Sequence, residues 1–234
     1  KILIDLHTHT IVSGHAYSTV EENIKSAKEK GLKYLGMSEH GPIMPGGAHP
    51  FYFSNIFCIP REIDGVNILR GAEANILNEN GDIDLSDFDE NLDYMIASLH
   101  TPCIKHGTIE ENTNAVINAM KHKKVKVIGH LDDSRYKVDY EKVVLKAKEE
   151  NVIFEINNSS LKPQSFRVGA WDNVVILLDM CKKHNVDVIM GSDAHISFDI
   201  ANLCYSEEII KKCDFPLELV VNYHEEKIKK YFGV

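Results

Sequence analysis

Seven places in this chain set histidine, carboxylate or asparagine where a strand-like apolar run gives out. The runs lead into Asp5-Leu6-His7-Thr8-His9 (with His15 just beyond), Ser38-Glu39-His40, Gly71-Ala72-Glu73, Ser98-Leu99-His100, Gly129-His130-Leu131-Asp132, Glu155-Ile156-Asn157-Asn158 and Gly191-Ser192-Asp193-Ala194-His195. Imidazole and carboxylate together are the donor set for Zn²⁺, Fe²⁺ or Mn²⁺. An isolated H-x-H or D-x-H carries little information; their recurrence in strand order carries a great deal. Side chains alternate faces along a strand, so Asp5, His7 and His9 are expected on one face, as are Asp193 with His195 and His130 with Asp132. Nine candidate ligands result: His7, His9, His15, His40, Glu73, His100, His130, Asp193 and His195. They are too many for one tetrahedral ion and, with Glu73 bridging, enough for two or three.

Other polar residues carry weaker expectations. His106, His122, His184 and His224 fall on helices or loops away from the strand ends and are expected to be structural. Asp5 is either a group that orients a histidine or a plain interior polar residue. Glu39 is expected to support rather than ligate, and Asn157 and Asn158 either line the mouth or begin a turn.

The elements that must position these groups alternate. Strand-like runs cover about residues 2–7, 34–38, 66–73, 94–99, 125–129, 152–156 and 186–190. Helical patterns cover about 20–30, 112–123, 140–150, 173–184, 207–212 and 224–231, the first introduced by Ser18 or Thr19 as a cap. A Gly/Pro-rich loop spans 41–50. Strand–helix alternation implies a parallel sheet with right-handed crossovers. Seven such units over 234 residues without a linker predict one closed or nearly closed α/β barrel, with a doubly wound open sheet as the competing arrangement. In both, the carboxyl ends of the strands form the site.

Composition narrows the partners. The chain carries 26 Lys+Arg against 35 Asp+Glu, a formal charge of −9. That disfavours a nucleic-acid track or an anionic membrane surface. Five scattered cysteines without C-x-x-C fit reduced packing thiols, and no apolar run reaches the length of a membrane span. A cytoplasmic location is the default expectation. Candidate substrate contacts are His49 in the 41–50 loop, Arg61, Arg135 and Arg167, because a guanidinium pairs well with phosphate. Phe51, Tyr52 and Phe53 follow that loop and offer an apolar wall or plain packing.

In their order, Asp5-Leu6-His7-Thr8-His9, Ser38-Glu39-His40-Gly41, Gly71-Ala72-Glu73-Ala74-Asn75, Leu99-His100 and Gly191-Ser192-Asp193-Ala194-His195 resemble the successive motifs of the PHP (polymerase and histidinol phosphatase) family, closest to its small YcdX-like bacterial phosphatase branch. The likeness extends to His15-Ala16-Tyr17-Ser18-Thr19, Ile68-Leu69-Arg70-Gly71, Glu155-Ile156-Asn157-Asn158-Ser159-Ser160 and Cys213-Asp214-Phe215-Pro216. It implies a single PHP-type domain over 1–234 with a distorted, TIM-like (β/α)7 barrel. It also implies a trinuclear site. His7, His9, Glu73 and Asp193 would hold one ion, Glu73, His100 and His130 a second, and His15, His40 and His195 a third. Zinc is the first expectation, with Mn²⁺ or Fe²⁺ as alternatives. Two positions depart from the family pattern: Leu131 stands where Pro is usual, and Glu39 where Asp is usual.

The activity so implied is metal-dependent hydrolysis of a small phosphomonoester. A metal-bridging hydroxide held by Glu73, Asp193, His7 and His9 would be the nucleophile. One alternative is a nuclease or phosphodiesterase acting on DNA ends, which would need a basic groove. The other is a non-enzymatic metal-binding module, against which the openness of the donor set argues. The expected partner is a small phosphorylated substrate, with no nucleic acid and no membrane.

Overall fold

The central strands are mainly apolar on both faces, one face turned to the barrel axis and the other packed under the helices, as a parallel sheet covered on both sides requires. A computed structural model describes residues 1–88 and 90–234. The strands are β1 (Ile4–Asp5), β2 (Tyr34–Met37), β3 (Glu62–Ile63), β4 (Val66–Asn75), β5 (Tyr94–Ser98), β6 (Val125–Ile128), β7 (Ile153–Asn157) and β8 (Val188–Gly191). Seven pair in parallel in the order β1-β2-β4-β5-β6-β7-β8, and β3 pairs antiparallel with β4. Helices α1 (Val20–Glu29), α2 (Pro50–Ser54), α3 (Ile109–Ala119), α4 (Tyr140–Glu150), α5 (Ala170–His184), α6 (Cys204–Lys212) and α7 (Glu225–Phe232) complete the chain.

The seven expected strands are present, and β3 is the addition. Asp64 and Gly65 both adopt positive φ (54° and 83°), the geometry of a two-residue hairpin turn, so Ile63 folds back on Val66. Helix α2 is also additional. It starts inside the expected 41–50 loop, capped by His49 and led by Pro50. Helix α3 begins earlier than the apolar pattern implies, because Thr108 and Glu111 form a capping box.

The barrel interior is apolar at its amino end. Ile4, Leu6, Tyr34, Leu69, Tyr94, Ile96, Val127, Ile153 and Ile189 meet there, and Ile228, Tyr231 and Phe232 of α7 close the base. Tyr94 crosses this space and donates to Leu6 O at 2.7 Å. A Cβ on Gly71 would stand 2.1 Å from the Tyr94 ring, so position 71 requires glycine. Residues on the opposite strand faces pack under the helices.

Between β8 and β1 the ladder is incomplete. At the carboxyl end Thr8 and Ala194 form a parallel bridge, and His9 N–H donates to Ala194 O at 2.9 Å. Lower down, the buried Asn222 side chain fills the gap between Met190 and Ile4.

Candidate metal centre

Each donor stands where a strand ends. His7 and His9 follow β1, His40 follows β2, Glu73 lies near the end of β4, His100 follows β5, His130 follows β6, and Asp193 and His195 follow β8. Strict alternation does not deliver all of them. Ile4 and Leu6 face the barrel interior, so a continued strand would send His7 outward. The ladder instead stops at Asp5, and the chain turns so that His7 and His9 both face the axis. Asp5 is directed elsewhere, accepting from Ser192 N–H (3.1 Å) and Ala201 N–H (2.7 Å) to hold the segment after β8. Val127 faces the interior, which assigns His130 to the outer face; its φ of 24° turns it back in. Asp193 is likewise left-handed, with φ 54°. Asp132 does not join the donors, because the turn after His130 closes on itself, Asp132 N–H to His130 O at 2.7 Å.

The donors converge on the two oxygens of Glu73. Its Oε2 lies 3.3 Å from His7 Nε2, 3.6 Å from His9 Nε2 and 2.8 Å from His40 Nδ1. Its Oε1 lies 3.1 Å from His100 Nε2 and 2.8 Å from His130 Nε2. Asp193 Oδ1 lies 3.5 Å from His7 Nε2 and 3.3 Å from His9 Nε2. His195 is beside this group, its ring centroid 4.4 Å from that of His9. His15 is exposed, with ring centroids 4.6 Å from His195 and 5.0 Å from His40. The structure therefore brings all nine candidate ligands together. His9 groups with His40 and His195 as well as with His7 and Asp193, so the expected first and third groups adjoin.

These residues fit divalent ions. His7 Nε2, His9 Nε2, both nitrogens of His40, Glu73 Oε2, Asp193 Oδ1 and His195 Nε2 are buried without a hydrogen-bond partner. Such a cluster is costly unless a cation satisfies it. Four contacts among His7, His9, Glu73 and Asp193 measure 3.3–3.6 Å. Taken as tetrahedron edges, they put a centre about 2.0–2.2 Å from each donor, the range of Zn–N and Zn–O bonds.

Protonation follows from the crowding. Burial alone would raise the Glu73 carboxyl, but the imidazoles of His100, His7 and His40 hold it well below the ordinary range. Burial and His40 press His9 well below its usual value, and burial and Arg167 take His130 down to about 4. Both are neutral, as ligands must be. His7 differs: burial would lower it, but Glu155, Glu73 and Asp193 hold it well above.

Above the donors a cavity of about 330 Å³ opens between the imidazole wall (His15, His40, His100, His195) and the segment after β7. That segment contributes Lys162, Phe166 and Arg167, with Met44 from the loop after β2. Arg167 Nη2 lies 3.5 Å from Asp193 Oδ2, and its Nη1 donates to Ser160 Oγ at 2.8 Å. Of the other sequence candidates, Arg61 is not brought to the mouth. It pairs with Asp93, at the amino end of β5. His49 is exposed and its Nδ1 accepts the Phe51 N–H, capping α2. Arg135 is held by Asp133. Of the aromatic triplet Phe53 is fully buried in the core, Tyr52 packs against it and Phe51 is exposed; none lines the cavity, where Phe166 and Met44 stand instead.

Supporting residues were less visible in the sequence. Asn75 Oδ1 accepts from His100 Nδ1 (2.7 Å), and Asn75 is itself braced by Asp84. Glu39 accepts from Thr10 and Ser13, as expected of a support rather than a ligand. Glu155 touches His7 and the backbone of His130. A charged residue between Phe154 and Ile156 in a fully buried strand was the available signal.

Parallel strands, crossover helices and polar donors gathered at one rim define a distorted (β/α)7 barrel. The chain belongs to the PHP domain family, whose model matches residues 5–164. It is 52% identical over 232 residues to a protein of Clostridium acetobutylicum named a probable phosphatase, covering 99% of this chain and 94% of that one. It is 45% identical over 233 residues to a Thermoanaerobacter protein of the same name, with the same coverage. Its fold resembles the histidinol phosphate phosphatase of Lactococcus lactis, solved with zinc, L-histidinol and phosphate. The TM-score is 0.64 at 18% identity, covering 92% of this chain and 94% of that one. No helix among the described residues is long and apolar enough to cross a membrane.

Proposed function

We propose that this chain is a metal-dependent phosphatase that hydrolyses small phosphomonoesters. The observation that carries the proposal is the set of orphaned, buried donor atoms around Glu73 and Asp193 at the floor of an open cavity. The names of the close relatives support phosphatase activity, and the zinc-bound fold neighbour supports divalent ions. His7, His9, Glu73 and Asp193 would hold one ion, Glu73, His100 and His130 a second, and His15, His40 and His195 a third. Bound there, divalent ions would supply positive charge for phosphoryl oxygens and lower the pKa of a bound water.

The chain's own residues do the rest. Glu73 and Asp193 stay ionised and Glu73 divides its two oxygens between donor groups, which fixes their spacing. Arg167 is anchored by Ser160, Asn157 and Asp193 at the cavity wall. A guanidinium has five N–H donors, so this anchoring leaves donors for a phosphoryl oxygen. Lys162, paired with Asp199 at 2.9 Å, adds a second cation at the rim. The cavity's size suits a small ester, at the lower end of ligand-site volumes. Turnover of a phosphomonoester panel by zinc-, manganese- and iron-loaded protein tests the proposal; His7→Ala and Asp193→Ala should abolish it.

A further inference from the structure

Glu155 stands in the middle of β7, 2% exposed, between Phe154 and Ile156. Its carboxylate is shared. Oε1 lies 2.6 Å from His7 Nδ1, while Oε2 accepts the backbone N–H of His130 at 2.9 Å and the Asn157 amide at 3.1 Å. Asn157 in turn reaches Asp193 Oδ2 at 3.2 Å. Room for the carboxylate comes from the next strand, where a Cβ on Gly191 would stand 2.2 Å from Oε1.

We propose that Glu155 is a positioning residue that ties the first two metal sites into one unit, an inference that rests on the metal-dependent reading above. In the neutral imidazole that a metal would require, the Glu155 contact keeps the proton on Nδ1 and so turns the Nε2 lone pair toward Glu73 and Asp193. The second oxygen holds the peptide of His130, whose left-handed backbone aims its Nε2 at Glu73 Oε1. His7 belongs to the first donor group and His130 to the second, so one carboxylate sets a ligand of each. Asn75 has no such reach; it orients His100 alone of the donors.

The chemistry of glutamine makes the inference testable. Glu155→Gln keeps the shape but presents one oxygen and one NH₂ to groups that all donate. If the NH₂ faces His7, the imidazole moves its proton to Nε2 and loses the ligand lone pair. If it faces His130, that N–H is stranded and the turn loosens.

Zinc titration against a metal buffer, with the imidazoles followed by ¹⁵N NMR, tests this. Glu155→Gln should weaken, roughly 10–100-fold, the step whose ligand meets the NH₂; Glu155→Ala, which removes both acceptors, should weaken two steps together, leave a third unchanged and shift the His7 tautomer signal. Asn75→Ala should weaken one step only. Glu155→Asp keeps both acceptors and should recover part of the loss; it also decides the matter on the same criterion if circular dichroism shows Glu155→Ala unfolded. Wild-type zinc affinities and an unchanged His7 tautomer in Glu155→Ala, or weakening of one step only in that variant, would overturn the inference. A wild-type protein that binds no zinc would instead overturn the metal-dependent reading itself.

Discussion

Asn222 gives Met190 both of the hydrogen bonds that a neighbouring strand would give it. Its Oδ1 accepts Met190 N–H at 2.7 Å, and its Nδ2 donates to Met190 O at 2.8 Å. The same Nδ2 donates to Ile4 O at 3.0 Å, so one buried side chain joins β8 to β1. Asn222→Ala would strand these backbone groups in the barrel wall. Unfolding in urea should show a loss of roughly 3–5 kcal/mol, and a melting temperature lower by about 10 °C. An unchanged midpoint would mean that Asn222 does not close the barrel.

Asp132 makes the metal-free protein sensitive to pH. Burial pushes its carboxyl up to about 7 against the pull of Arg167, and neither oxygen has a hydrogen-bond partner. Below pH 4 the carboxyl is protonated folded and unfolded alike. Above that the unfolded chain releases the proton while the folded chain keeps it, so this group's contribution falls until about pH 7 and is then flat. The total is at most about 4 kcal/mol. In chelator-treated protein, Asp132→Asn should lack this slope and gain on wild type as pH rises from 4 to 7. A constant difference between the two proteins would refute it.

Three of the four substrate contacts expected from the sequence should separate in kinetics. Arg167→Ala should raise KM and lower kcat/KM by about 10-fold or more, since it removes the guanidinium anchored over Asp193. Arg61→Ala should leave both constants unchanged, because Arg61 sits with Asp93 at the far end of the barrel. His49→Ala should cost about 0.5–1 kcal/mol of stability through the lost cap, with turnover unaffected.

Thiol chemistry should bypass the site. Cys103 lies just beyond His100, but burial pushes its thiol up to about 11. Cys58 and Cys204 are exposed. At pH 8 iodoacetamide should modify those two first and leave Cys103 and activity intact. Early labelling of Cys103 would contradict this.

The barrel and the nine donors were legible because both rest on local signals. Apolar runs that stop at His, Glu or Asp mark strand ends, and parallel strands collect their carboxyl ends at one rim. What escaped depended on backbone conformation or on partners distant in the chain. His7 and His130 reach the centre through breaks in strand alternation that a period-two pattern cannot contain. The Asp64-Gly65 hairpin and the Thr108/Glu111 capping box were legible in principle, as short turn and cap signatures between stronger runs. The role of Glu155 was not, because His7 lies 148 residues away in sequence. Arg61 and Arg167 are the same residue type in loops, and only the fold separates one end of the barrel from the other.

In the function proposed, the orphaned donors around Glu73 and Asp193 hold the ions that make this chain a phosphatase. Metal analysis of the purified protein, followed by chelation, reloading and assay against phosphomonoesters, phosphodiesters and single-stranded DNA, tests it most directly. The expected result is about three divalent ions per chain, loss of phosphomonoester turnover on chelation, recovery on reloading, and no turnover by His7→Ala or Asp193→Ala under any loading. Turnover that survives complete chelation, or fully loaded protein that hydrolyses no phosphomonoester, would contradict it.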